Sequence, residues 1–408
     1  MRLVLLCCLF AFVFVSPVGA LTDFMVSFWC GPNPTLDADK RYKEISDANF
    51  NVCFPPCEAT TVDQQWAALE ACRAHGLKYV VQDGRILSKA PTDPDFGGNL
   101  DVVVQQWAKH PALAGYFIAD EPGASAFPTL AAVNKYLLEK DPKRLPYINL
   151  LPNYATADQL GCATYEDYVD KFCSVVKPKL LSFDHYALFD KSERAEYFDN
   201  LEIIRRQGLK HKIPTCDILL LLPHGPYRDP SDADMEWQVN TALAYGNKAI
   251  MYFTYWTPPA DPTWQWTKGA VTRSGKRTEH YNQVKEINRR LKLFGPTLMK
   301  LTSTDVYHTG DLPVGTKAQP SDSPVQTPSP GLVVGLFKHQ DRSEWAMLVN
   351  RSPREEVKAT YKLSANKLGL QMNSITGALG KIAAKGVISL SPGHSVLLKF
   401  ENGKPPGS

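Results

Sequence analysis

The 408-residue sequence lacks the features that mark several classes of protein. Its formal net charge is only +3, and no basic run carries interleaved aromatic residues, which argues against nucleic acid as a partner. Beyond Val15, no segment holds about 18 uncharged apolar residues in succession, so no later membrane span is expected. No Cys or His pair accompanies the Cys53/Cys57 spacing at zinc-site distance, and we expect neither a metal nor a cofactor.

The N-terminus is typical of a secretory signal peptide. Arg2 precedes an apolar run from Leu3 to Val15 that is too short to span a bilayer, and Val18-Gly19-Ala20 supplies the small residues of a cleavage site. The sequence therefore predicts a signal peptide at 1–20 and a secreted or periplasmic protein with no further membrane association. It does not indicate an oligomeric state.

The cysteine count also bears on the compartment. Seven cysteines follow residue 20, and an odd number leaves at least one unpaired in a monomer. We expect buried thiols together with one or two disulfides.

Short apolar segments alternate with amphipathic helical segments between residues 23 and 295. The predicted strands are Phe24–Trp29, Phe50–Phe54, Lys78–Val81, Ala114–Ala119, Tyr147–Leu151, Leu180–Asp184, Ile213–Leu219 and Ala249–Thr254. Eight successive βα units predict a (β/α)8 TIM barrel over 21–300. A doubly wound open sheet is the alternative, but it usually carries a Gly-rich phosphate turn after its first strand, where this chain has Cys30-Gly31-Pro32-Asn33-Pro34.

The remainder of the chain has a different character. A Pro/Ser-rich stretch with little capacity to bury a core predicts a connection over 301–331. Short alternating segments after it predict a small antiparallel β-sandwich at 332–402, as an accessory domain.

The fourth predicted strand ends in two adjacent carboxylates. The apolar run Gly115–Ala119 is followed by Asp120-Glu121 and then by a Pro122-Gly123 break. In a (β/α)8 barrel, active groups lie at the C-terminal ends of the strands. A carboxylic acid that is partly buried there gains a raised pKa and can donate a proton near neutral pH. Glu121 is therefore the predicted general acid, with Asp120 beside it expected to point to the opposite face of the strand or to orient its neighbours.

The other strand ends deliver carboxylates, amides and flat aromatic rings. The candidate substrate-binding residues are Trp29, Asp83, Asp120, Asn149, His185, Tyr186, His224, Tyr252, Tyr255 and Trp256. Such rings stack on the apolar faces of sugars, while amides and carboxylates bind hydroxyls, so we expect a carbohydrate substrate. Trp264 and Trp266, on the loop after the eighth strand, are either a sugar platform or packing at the barrel mouth.

Two segments carry a resemblance to a known family. Asp120-Glu121-Pro122 lies where clan-A (β/α)8 glycoside hydrolases have Asn-Glu after strand 4, and 239–253 has the Ala-Leu-Ala-x-Gly run that leads into a strand ending in Tyr-Phe. Over 110–257 the chain distantly resembles the family 42 β-galactosidases. The resemblance implies a glycoside hydrolase that cleaves O-glycosidic bonds of an oligo- or polysaccharide, with Glu121 as the acid.

The seventh strand departs from that pattern. Ile213–Leu222 contains no Glu for the family's nucleophile, and Leu219 holds its position, since Asp217 comes two residues early. The second carboxylate therefore remains open between Asp217 and Asp184. With Asp217, we expect a gap of about 6.5–9.5 Å and inversion rather than retention. The alternative function is a non-catalytic carbohydrate-binding barrel with a degenerate active site.

Overall fold

The computed structural model describes residues 21–365 and 367–402. The predicted signal peptide at 1–20 lies outside the described residues. Within the described ranges, no helix is both long enough and apolar enough to cross a membrane.

The first part of the chain is a parallel eight-stranded barrel, which confirms the predicted fold class. Its strands are β1 (Met25–Phe28), β2 (Val52–Cys53), β3 (Lys78–Gln82), β4 (Leu113–Asp120), β5 (Leu145–Leu150), β6 (Leu181–Asp184), β7 (Thr215–Leu220) and β8 (Ala249–Phe253). They follow the order β1-β8-β7-β6-β5-β4-β3-β2 around the sheet. The helices of this part are α1 (Ala38–Asp47), α2 (Val62–Ala74), α3 (Phe96–Trp107), α4 (Phe127–Lys140), α5 (Ala157–Leu160), α6 (Tyr165–Val176), α7 (Tyr197–His211), α8 (Asp232–Ala244) and α9 (Glu279–Leu298).

The two faces of each strand meet different layers. Cys216 and Ile218 of β7 belong to the apolar cluster that fills the barrel, whereas Leu219 belongs to the larger cluster between the strands and the helices. All six residues of β7 are buried, as expected for a parallel strand covered on both sides.

The seam between β1 and β2 is joined by side chains. Asn51 accepts from the backbone N–H of Val26 through Oδ1 at 2.8 Å and donates from Nδ2 to the Phe24 carbonyl at 2.8 Å. The Ser27 hydroxyl donates to the Val52 carbonyl at 2.9 Å. These bonds satisfy backbone groups that a regular ladder would otherwise pair.

The C-terminal part consists of two antiparallel sheets. One has the order β10 (Val325–Gln326), β13 (Val357–Leu363), β16 (Lys385–Leu390). The other has the order β15 (Leu379–Ile382), β14 (Lys367–Met372), β17 (Ser395–Asn402), β12 (Glu344–Asn350), β11 (Leu332–His339), β9 (Leu301–His308). The stretch 301–331, predicted as a connection, thus contributes β9 and β10 to these sheets.

The barrel and the C-terminal sheets share a close junction at α8. The indole Nε1 of Trp237 donates to the Arg351 carbonyl at 2.8 Å, and Asn240 Nδ2 donates to the Gly393 carbonyl at 3.0 Å. At Gly335 a Cβ would lie 2.2 Å from the Ala244 carbonyl oxygen, so only glycine allows β11 to approach the end of α8 this closely. Every residue of α8 from Asp234 to Ala244 is therefore buried.

One disulfide joins two loops at the C-terminal ends of the strands. Cys30 follows β1 and Cys57 follows β2, and their Cα atoms are 4.8 Å apart. The other cysteines of the described residues are unbonded thiols: Cys53, Cys72, Cys162, Cys173 and Cys216.

Candidate active site

A cavity of about 490 Å³ opens at the C-terminal ends of the barrel strands. Its lining is Trp29, Asp120, Glu121, Asn149, Leu151, Pro152, Tyr154, Ala155, Gln159, Asp184, Tyr186, Ile218, His224, Tyr227, Phe253, Trp264 and Trp266. A larger cavity of about 730 Å³ lies around the start of β1 and the end of α9, away from the strand ends that carry the carboxyls. The acidic side chains at the strand ends therefore meet in the smaller cavity, which we call the carboxyl pocket.

Glu121 leaves β4 through an unusual backbone turn. Its φ of 47° is in the left-handed region, which a residue with a side chain rarely adopts, and its N–H donates to the Asn149 carbonyl at 2.9 Å. This turn breaks the strand alternation, so Asp120 and Glu121 both line the pocket. The expectation that Asp120 faces the opposite side of the strand is wrong for this reason.

Asn149 of β5 joins the carboxyls of two neighbouring strands. Its Nδ2 donates to Asp184 Oδ1 at 2.8 Å and to Asp120 Oδ1 at 3.1 Å. Its Oδ1 accepts from the Ser182 hydroxyl at 3.2 Å, and that hydroxyl also contacts the Tyr147 hydroxyl at 2.8 Å. Because Ser182 occupies the acceptor end of the amide, the donor end is held toward the carboxyls.

Glu121 and Asp184 form a carboxyl pair. Burial, followed by the charge of Asp120, raises the pKa of Glu121 to about 7. Burial, followed by the charge of Glu121, holds the pKa of Asp184 well above its usual range. Burial also raises the pKa of Asp120, and the Asn149 amide opposes that rise. Because burial and the neighbouring carboxyls disfavour ionisation, the pair retains a proton at neutral pH.

The walls of the carboxyl pocket are aromatic. Tyr186 lies 5.3 Å from Phe253 between ring centroids, and Phe253 lies 5.5 Å from Trp266. Trp29, after the neighbouring strand β1, packs edge-on against Phe117 with centroids 5.5 Å apart. The described residues that line the pocket include no Lys or Arg. The pocket therefore combines flat apolar rings with acidic groups and no fixed cation.

Nine of the residues singled out in the sequence come together in this pocket. They are Trp29, Asp120, Glu121, Asn149, Asp184, Tyr186, His224, Trp264 and Trp266. His224 is nearly buried, and burial lowers its pKa, so it is a neutral wall of the pocket.

Asp217 is not in the pocket, and its prediction as the second carboxylate is corrected by its position. Its neighbour Ile218 lines the pocket, so Asp217 points the other way, toward the helices. It is 0% exposed, and neither carboxyl oxygen has a hydrogen-bond partner among the described residues. Burial alone raises its pKa well above the usual range. A neutral acid behind the barrel wall cannot reach a substrate.

Two more predicted binding residues lie outside the carboxyl pocket. Asp83 is paired with Arg85 at 2.6 Å and accepts from Trp107 Nε1 at 2.9 Å, so its carboxyl is already used. His185 is 1% exposed and packs between the rings of Tyr154 and Tyr197.

The aromatic residues predicted around β8 face the surrounding layer instead of the pocket. Tyr252 donates to Asn288 Oδ1 at 2.9 Å, on the side of α9. Tyr255 is buried against Phe28, and Trp256 is buried beneath the guanidinium of Arg41. Phe253 is the ring that β8 gives to the pocket.

Several pocket residues were not selected from the sequence. They are Leu151, Pro152, Tyr154, Ala155, Gln159, Ile218, Tyr227 and Phe253. Most follow β5 or β7 on long loops, and their place in the pocket depends on how those loops fold back. Of these residues, only Tyr227 could have been selected from the sequence, because it lies three residues after the candidate His224.

No metal site accompanies the pocket. In the part of the chain that the structure describes, no group of three or more His, Cys, Asp or Glu side chains is arranged to hold an ion. The carboxyls of Asp120 and Asp184 instead accept hydrogen bonds from Asn149.

Comparisons with known proteins give a match of fold. No protein-family model matches the chain, and no curated protein matches its sequence. It is similar to the solved β-galactosidase of Bacillus circulans sp. alkalophilus, with a TM-score of 0.62 and 9% identity over 93% of this chain and 99% of that one. A family 42 β-galactosidase of G. stearothermophilus gives a TM-score of 0.59 at 8% identity, over 92% of this chain and 98% of that one.

A further solved structure matches over a smaller share of its length. The β-galactosidase of the psychrophilic Marinomonas ef1 gives a TM-score of 0.52 at 10% identity, and the match covers 66% of this chain and 60% of that one. These neighbours are (β/α)8 glycoside hydrolases, so the distant resemblance seen in the sequence is confirmed as a likeness of fold. At such identities the likeness does not extend to catalytic residues or substrate.

Proposed function

We propose that the protein is a glycoside hydrolase that cleaves O-glycosidic bonds of an oligo- or polysaccharide. The observation that carries the proposal is the Glu121–Asp184 pair, which retains a proton inside an aromatic pocket at the C-terminal ends of the strands. In this proposal Glu121 is the general acid and Asp184 is the second carboxyl.

The electrostatics of the pocket support this chemistry. Glycoside hydrolysis passes through an oxocarbenium-like transition state that carries positive charge. A pKa of about 7 keeps Glu121 protonated below neutral pH, so it can protonate the departing oxygen. Asp120, held by the Asn149 amide at 3.1 Å, is the carboxyl best placed to remain charged and to stabilise the positive sugar ring.

The relation between the two carboxyls bears on stereochemistry. Glu121 and Asp184 line one pocket and influence each other's ionisation, and the separation of their carboxyls decides between retention, at about 5–5.5 Å, and inversion, at about 6.5–9.5 Å. The earlier preference for inversion rested on Asp217 and loses its basis.

The lining also bears on the class of sugar. The described lining residues include three acidic side chains and no Lys or Arg. This lining disfavours uronates and sulfated or phosphorylated sugars, because like charges would meet in a partly desolvated space. A neutral sugar fits, since its apolar faces can lie on the rings and its hydroxyls can bond to the carboxyls and to Asn149.

A second candidate function is carbohydrate binding without catalysis. The observation that favours it is that β7 contributes only the apolar side chain of Ile218 to the pocket, while Leu219, at the nucleophile position that the resemblance implies, packs outside it. The two functions differ in whether Glu121 has a chemical role or only a binding one.

The test is a screen of the purified protein against neutral oligosaccharides and aryl glycosides, together with Glu121→Gln and Asp184→Asn. We expect hydrolysis by the wild type and a loss of about 10²–10⁴-fold in kcat for Glu121→Gln, the usual contribution of a general acid. Asp217→Asn is the matched control, because it changes a buried Asp of similar chemistry outside the pocket. Saturable binding without any turnover would establish the second candidate.

We also propose that the protein is exported. The Cys30–Cys57 disulfide supports this, because such bonds form and persist in oxidising compartments. Mass spectrometry of the protein secreted by its native cell, without reduction, tests both the bond and the N-terminus. A reduced protein retained in the cytosol would contradict the proposal.

A further inference from the structure

A row of aromatic rings leads from the carboxyls to the solvent. Tyr186 lines the pocket two residues after Asp184 in the chain, so the row begins beside the carboxyls. Phe253 and Trp266 follow, and Trp264 stacks on Trp266 with centroids 5.6 Å apart and planes 19° apart. We call Trp264 and Trp266 the tryptophan ledge.

The ledge is fixed in place by the loop that carries it. Asp261 Oδ1 accepts from the backbone N–H of Thr263 at 2.8 Å and of Trp264 at 2.9 Å. Arg273 Nη2 donates to the Trp266 carbonyl at 2.7 Å, and the Gly225 N–H donates to the Trp264 carbonyl at 3.3 Å. The loop is therefore held from both sides, and a ligand would meet a surface that needs little further ordering.

Packing does not account for the outer ring of the ledge. Trp266 already closes the gap against His224, with centroids 4.7 Å apart, and against Phe253. Trp264 lies beyond it and keeps 44% of its surface exposed. A large ring held open to solvent beside a pocket indicates a ligand-contacting surface more than a core contact.

We propose that the tryptophan ledge is a second sugar-binding site, which takes the neutral sugar units that adjoin the one held at the carboxyls. The proposal rests on the proposed function, because the ledge continues the pocket that Glu121 and Asp184 occupy. The occupant is an oligosaccharide: Trp264 holds an exposed ring at the edge of the pocket, so a sugar unit that adjoins the one at the carboxyls can stack on it.

The ledge then defines the class of substrate. A monosaccharide glycoside reaches only the inner rings, whereas a longer chain gains contact with Trp266 and Trp264. We expect kcat/KM to rise with chain length and the increase to depend on Trp264.

The test compares Trp264→Ala with the wild type on an aryl glycoside and on neutral oligosaccharides, from dimer to hexamer, built from the same sugar. We expect about a tenfold loss in kcat/KM on the longer chains, in line with aromatic stacking energies, and a smaller loss on the aryl monosaccharide. Trp264→Phe, which keeps a flat ring, should recover most of the loss. Leu312→Ala is the matched control, because Leu312 is 48% exposed and lies far from the pocket in the chain.

The experiment can show whether the proposal about the ledge is wrong independently of whether the proposed function is wrong. If the wild type turns over no glycoside, binding of the same oligosaccharides is measured by the quenching of tryptophan fluorescence in the wild type, Trp264→Ala and Leu312→Ala. Weaker binding by Trp264→Ala alone supports the ledge even without catalysis. Equal values for wild type and Trp264→Ala on every chain length, or no binding of any member of the series, would overturn it.

Discussion

Asp217 offers a quantitative test of the structure, because its carboxyl is enclosed without a partner. It is 0% exposed, and burial alone raises its pKa well above the usual range. The native state therefore holds Asp217 protonated, while the unfolded chain ionises it with a pKa near 3.9. The perturbation we consider is Asp217→Asn, which keeps the shape and removes the titration.

The sign and the size of the effect follow from linkage. Because the native pKa is raised, the contribution of Asp217 to stability is fully present below about pH 4 and is lost as the pH rises toward the native pKa. Each pH unit in that window costs about 1.4 kcal/mol of unfolding free energy. Above pH 4, and up to the native pKa, the wild type should therefore lose about 1.4 kcal/mol per pH unit that Asp217→Asn does not lose.

The assay is urea unfolding of both proteins at half-unit steps from pH 4 to pH 7. The quantity of interest is the difference between their unfolding free energies, since every other titrating group cancels in it. The absolute offset is uninformative, because the new amide also buries unpaired donors at a cost of about 1–3 kcal/mol. A difference that stays constant over the whole range would refute the reasoning and would mean that Asp217 is charged or paired in the native state.

Two further predictions concern the carboxyl pocket. Burial and Asp120 raise the pKa of Glu121 to about 7, so kcat/KM should fall as the pH rises through about 7, and a pH–rate profile that stays flat to pH 9 would count against Glu121 as the acid. Asn149→Ala removes the donor that lowers the pKa of both Asp120 and Asp184, so the acid limb of the profile should move to higher pH and kcat should fall about 10–100-fold. Steady-state rates across the same pH range measure both, and an unmoved acid limb would show that Asn149 has no electrostatic role.

The barrel was predictable from the sequence because each strand is a short apolar run between amphipathic helices. The side of the strand that a given residue faces was harder to predict from the sequence. All six residues of β7 are buried, so nothing in its composition distinguishes Asp217, which faces the helices, from Ile218, which faces the pocket. At the end of β8, Phe253 rather than Tyr252 reaches the pocket for the same reason.

Backbone turns explain another difference between what the sequence predicted and what the structure shows. The left-handed conformation of Glu121 brings both Asp120 and Glu121 to the pocket, and strand alternation gives no sign of it. Strand β9 was not predicted either, because Leu301 and Ser303 are both buried although only Leu301 is apolar, and the Pro-rich segment after it suggested a connection. The C-terminal sheets therefore begin earlier than the composition indicated.

The most direct test of the central claim is the dependence of the rate on the leaving group. We compare the wild type with Glu121→Gln on two aryl glycosides of one sugar, one with an activated phenol and one with a poor leaving group. If Glu121 supplies the proton, its loss should cost orders of magnitude on the poor leaving group and far less on the activated one, which needs little protonation. Equal losses on both substrates would contradict the assignment of Glu121 as the general acid.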